Sequence, residues 1–94
     1  MIQYFDFDNF ILSNGKVLES VRLAFTTQGK LSATKDNVIL VFHALTGSHM
    51  LSGDFIRPDN IEIPWNDEMT KGWWTDFVGP KKMFDTEKYF IVCA

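Results

Sequence analysis

The sequence predicts an α/β fold in which an N-terminal antiparallel hairpin leads into the first central parallel strands of a doubly wound sheet. Three observations carry this expectation. Two alternating segments flank a turn signal near the start of the chain, two continuous apolar runs follow, and about forty-five residues separate those runs, enough for the crossover that parallel neighbours require.

In the first segment Phe5 and Phe7 alternate with Asp6 and Asp8, and in the second Val21, Leu23 and Phe25 alternate with Arg22, Ala24 and Thr26. Side chains of a strand point to opposite faces in turn, so this period of two marks half-exposed strands. Between them lies Ser13-Asn14-Gly15-Lys16, where Asn and Gly accept the positive φ angles of a type I′ turn. Gln28-Gly29-Lys30 ends the second strand.

Val38 to Phe42 and Tyr89 to Ala94 are β-branched and aromatic without interruption, the pattern of strands covered on both faces. They are expected to be parallel neighbours joined by a right-handed crossover. Within that crossover Asp54 to Pro64 is polar and punctuated by Pro, and Asp59, Glu62, Asp67 and Glu68 suit a solvated loop face. Trp73 to Val78, stopped by Gly79-Pro80, reads as a short helix, and the Trp73-Trp74 pair as the anchor pinning it to the sheet. A loop this long in a small domain tends to form a wall or lid of a site.

Composition narrows the function classes. Hydrophobic residues make up 46% and charged residues 22% of 94 residues, which describes one globular core former and not a disordered segment. The net charge of −3 is spread along the chain without a Lys/Arg cluster, so nucleic acid is not an expected partner. No apolar run approaches the roughly 20 residues of a membrane-spanning helix, and the N-terminus carries acids where a signal peptide needs bases. The single cysteine, Cys93, lies in an apolar run, where it reads as a small buried hydrophobe, and its solitude favours the cytoplasm.

A loop leaving the C-terminal end of a central strand is where open α/β sheets bind ligands, and His43-Ala44-Leu45-Thr46-Gly47-Ser48-His49 stands there. Taken alone, the spacing reads first as a tight turn with a satisfied histidine. Ser48, His49 and Asp54 hold the inventory of a catalytic triad, yet neighbours in sequence rarely converge and no G-x-S-x-G elbow frames a serine. His43, His49 and Asp54 lack metal-ligand spacing, so no metal site is expected.

Across nearly the whole length, Asn37 to Gly47, Gly72-Trp73-Trp74, Gly79-Pro80, Phe84-Asp85-Thr86 and Tyr89 to Ala94, in this order, make the sequence resemble homoserine O-acetyltransferases. The resemblance implies an incomplete α/β-hydrolase fold, with residues 1–94 the N-terminal part of a single domain cut before the nucleophile elbow. It implies an enzyme that carries acetyl from acetyl-CoA to the L-homoserine hydroxyl through an acylated serine, early in methionine biosynthesis, without metal or bound cofactor and with a homodimer possible. Matched position by position, Leu45 would offer its backbone N–H to the oxyanion, with His43, Ala44, Thr46 and Gly47 shaping the loop. The family's serine, aspartate, histidine and substrate-binding arginine would lie outside this sequence, leaving the segment inert alone. Two other readings are a segment of another α/β-hydrolase acyltransferase or esterase, and a noncatalytic small α/β module.

Overall fold

The computed structural model describes residues 2–57, 59 and 64–94. The expectation for the polar stretch around Glu62 lies outside them. Strands β1 (Ile2–Ile11) and β2 (Val17–Gln28) run antiparallel over nearly their full length, Phe5 facing Leu23 and Phe7 facing Val21. The connection differs from a type I′ turn. Only Gly15 takes a left-handed φ, at 82°, while the Leu12 carbonyl accepts from the Gly15 N–H and the Lys16 carbonyl from the Leu12 N–H. This is a three-residue loop, a type I turn closed by a left-handed glycine, and it leaves Asn14 free to accept the Lys16 N–H through its side chain.

The two apolar runs form β3 (Val38–Val41) and β6 (Phe90–Cys93), which pair in parallel, Ile39 beside Ile91 and Val41 beside Cys93. β6 also pairs antiparallel with the end of β2 through Thr26–Cys93, Thr27–Val92 and Gln28–Ile91. The sheet order is therefore β1-β2-β6-β3, mixed and with β6 inside. Asn37 fastens the entry to β3, its side-chain amide donating to the Lys30 and Lys88 carbonyls at 2.9 and 3.0 Å.

The crossover lies over one sheet face. Leu51 and Val78 join Ile91 and Cys93 in the buried core, with Ile39, Val41, Trp74 and Phe84 packed around them. Each fully buried aliphatic side chain there stabilises the fold by about 1.5–3 kcal/mol. Two short strands, β4 (Val78–Gly79) and β5 (Phe84–Asp85), pair in parallel at the edge of this cluster.

The helix expected at Trp73 to Val78 is absent; the segment is a series of turns, and among the described residues the one helical piece is a 3-10 turn at Asp67–Thr70. Tertiary bonds explain the difference. The N–H groups of Gly72, Trp73 and Trp74 donate to the carbonyls of Gly53, Met50 and Leu51, tying this backbone to the preceding segment. The Gly72 carbonyl is taken by the Thr75 hydroxyl and the Thr75 carbonyl by the Lys82 ammonium, which interrupts the ladder a helix would need. Six residues are too few to nucleate a helix against such competition.

Candidate functional site

β3 stops at Val41 and the chain turns away from the sheet through His43 to Ser48. The turn is closed by the Gly47 N–H, which donates to the Ala44 carbonyl at 2.9 Å. That carbonyl also lies 2.6 Å from His43 Nδ1, so Nδ1 carries the proton and the imidazole braces the loop's own backbone. The histidine is therefore satisfied locally. Leu45, at the tip, is fully exposed at 101%, and its backbone N–H makes no hydrogen bond among the described residues. The side chain contributes nothing to packing here, while the amide is available to a ligand.

Thr46, Gly47 and Ser48 form one wall of an open cleft of about 420 Å³, and Met50, Trp73, Asn66, Glu68 and Lys71 line the rest. Asn66 caps the 3-10 turn by accepting the Met69 N–H at 3.1 Å, which holds Glu68 and Lys71 at the rim. The crossover loop thus builds a wall beside the turn.

Ser48, His49 and Asp54 do not assemble into a triad. The Ser48 hydroxyl accepts the Met50 N–H at 3.2 Å, His49 Nε2 is buried with no hydrogen-bond partner among the described residues, and Asp54 forms an isolated bridge with Lys71. Burial, and then the nearby His43, hold the His49 imidazole below its ordinary pKa of 6.5, so it stays neutral near pH 7. Among the described residues no group of His, Cys, Asp and Glu is placed to hold a metal ion. Cys93 is buried and burial raises its thiol pKa, the setting of an inert thiol.

One partnership had no signal in the residue pattern. The Trp73 indole N–H donates to the Ser48 carbonyl at 2.7 Å, and Cys93 Sγ lies 3.8 Å from that same oxygen. The Gly-Trp-Trp run marked an anchor, but only the close approach of two backbones identifies what it anchors.

No family model matches the sequence. The chain is 44% identical over 87 residues, 93% of its length, to the homoserine O-acetyltransferase of Deferribacter desulfuricans, of which it covers 21%. Among solved structures, the homoserine O-acetyltransferase from Bacillus anthracis superposes with a TM-score of 0.79 at 27% identity, over 99% of this chain and 22% of that one. Esterase E22 superposes with a TM-score of 0.81 at 26% identity, over 99% of this chain and 23% of that one. The chain thus spans about a fifth of the length of these proteins. By sequence and fold together, it is similar to a segment of the homoserine O-acetyltransferases, on the α/β-hydrolase fold.

Proposed function

We propose that this segment supplies one half of the oxyanion hole of an O-acyltransferase that moves acetyl from acetyl-CoA to the hydroxyl of L-homoserine, an early step of methionine biosynthesis in the cytoplasm. The observation that carries the reading is the 44% identity to a homoserine O-acetyltransferase over 93% of the chain. The free Leu45 N–H in the turn after β3, which is an edge strand of the described sheet and not the central one expected, with Ala44, Thr46 and Gly47 shaping the turn and His43 bracing it, gives that likeness a chemical location.

In this reading a serine outside the segment attacks the thioester carbonyl of acetyl-CoA, and the carbonyl oxygen becomes an oxyanion. The Leu45 N–H donates to it, and a second N–H, from the residue after the nucleophile, completes the pair. Collapse expels the CoA thiol and leaves an acetylated serine, which the homoserine hydroxyl then attacks through the same oxyanion arrangement. Neither metal nor bound cofactor is needed, and acetyl-CoA is a cosubstrate. The uncovered sheet face receives helices of the complete domain, which makes the sheet doubly wound.

The test is a chimera in which residues 1–94 replace the matching segment of the Deferribacter desulfuricans relative. It is expected to release CoA thiol from acetyl-CoA beyond one equivalent per active site only when homoserine is present. A well-folded chimera that hydrolyses acetyl esters but transfers nothing to homoserine would remove the transferase reading and favour an esterase.

A further inference from the structure

We infer that Trp73 is a positioning residue for the oxyanion turn, holding it through the Ser48 carbonyl; the inference rests on the functional reading of Leu45 given above. The turn has two ends. Its N-terminal end continues β3, which is fixed by pairing with β6. Its C-terminal end, at Gly47 and Ser48, belongs to no strand or helix; besides the local bond from the Met50 N–H to the Ser48 hydroxyl and the bond from the Thr26 hydroxyl to the His49 carbonyl one residue on, it is held at the Ser48 carbonyl oxygen by the Trp73 indole at 2.7 Å and more weakly by Cys93 Sγ at 3.8 Å.

The indole is aimed from a rigid base. Gly72 lies against the backbone of Leu51 and Ser52 so closely that a Cβ would sit 2.4 Å from Ser52 Cα, and the Trp73 and Trp74 N–H groups donate to Met50 and Leu51. The Trp73 ring leans on Trp74, with centroids 5.0 Å apart, and Trp74 stacks on Phe84 at 5.3 Å. Trp73 is itself 40% exposed, more than a pure packing role explains, because its ring also walls the cleft beside Thr46 to Ser48. A tryptophan placed only for core volume would not need its N–H directed at this carbonyl.

An oxyanion donor acts only where its N–H meets developing charge, and a displacement of about 1 Å can cost orders of magnitude in rate. Loss of the indole N–H should therefore lower kcat while leaving ground-state binding unchanged. The experiment uses the chimera described above with Trp73→Phe, which keeps a ring and removes the donor. Trp74→Phe serves as the comparison, since it perturbs the same aromatic stack and leaves the bond from Trp73 to Ser48 in place.

For Trp73→Phe the expected result is a fall in kcat of about tenfold with KM within about twofold. Amide hydrogen exchange over residues 43–50 should be faster, at an unchanged melting temperature. Trp74→Phe should lower the melting temperature without accelerating exchange in that stretch. Unchanged exchange over 43–50 in Trp73→Phe overturns the inference whatever kcat does, and so does a kcat loss that merely follows the melting temperature in both variants. A folded but inactive parent chimera counts against the proposed function alone, and exchange then decides the role of Trp73.

Discussion

At the scale of single residues, the proposed chemistry depends on a main-chain atom and not on a side chain. Leu45 exposes its whole side chain and leaves its amide unbonded, so the two can be separated by substitution. In the complete enzyme Leu45→Ala keeps the N–H and is expected to retain most activity. Leu45→Pro deletes the donor and should lower kcat on the order of 100 to 1000-fold. Proline also fixes φ, so the comparison is made at matched circular dichroism and unchanged acetyl-CoA binding. A folded Leu45→Pro enzyme with near-normal kcat would leave the His43 to Gly47 turn a purely structural feature. His49 shows the opposite allocation. Its side chain turns inward, burial keeps it neutral, and its carbonyl accepts the Thr26 hydroxyl, so His49 secures the exit of the turn to β2 through its main chain.

At the scale of elements, the crossover is shaped by one place where two backbones meet. An Ala at position 72 would place its Cβ 2.4 Å from Ser52 Cα and 2.5 Å from Ser52 N, atoms that cannot rotate away. Gly72→Ala is therefore expected to destabilise the chimera by about 1–3 kcal/mol, read as a shift of its denaturant midpoint. Gly15→Ala makes the contrast, since a Cβ there meets open space and the cost is confined to a left-handed φ of 82°. Equal midpoints for Gly72→Ala and the parent would show that the two segments are not in contact. The same contact explains what the residue pattern revealed and what it hid. Val38 to Val41 and Phe90 to Cys93 were legible because continuous apolar runs have few other uses. The turns at Trp73 to Val78 were not, since the N–H groups of Trp73 and Trp74 bond to Met50 and Leu51 and no local propensity records that. Nor did the pattern announce Asn9, whose φ of 55° falls near the C-terminal end of β1. The hydrophobic signal pointed to the loop beyond β3 as a candidate site, but Trp73's grip on Ser48 needed the tertiary fold.

At the scale of the whole molecule, the two sheet faces are unequal. Thr26 and Cys93 are paired and both buried, so they mark the face under the crossover. Strand residues alternate, which assigns Val21, Leu23 and Phe25, their β1 partners Phe7, Phe5 and Gln3, and Val92, Leu40 and Val38 to the other face. Beyond the left-handed Asn9, at the far end of the apolar row, the Phe10 ring lies 5.6 Å from that of Phe7. Phe5 at 58%, Leu23 at 44%, Leu40 at 53% and Val38 at 48% remain exposed, an apolar row of the kind that marks a contact surface. Along the hairpin, the face that continues the crossover side carries Arg22 paired to Asp6 at 2.6 Å, so there the charged residues fall on that face and the exposed apolar row on the other. Residues 1–94 expressed alone should therefore self-associate at micromolar concentration and bind a hydrophobic dye, and should release no more thiol from acetyl-CoA and homoserine than the buffer blank. On the proposed function, adding the remaining part of the relative's chain should reverse all three, because the helices that would cover the apolar face would arrive with the serine and its base. Light scattering and a thiol assay on the two-part mixture measure these together. A monodisperse monomer with a cooperative melt and no dye binding would show that the face needs no cover, and the segment would then be a self-sufficient small α/β module.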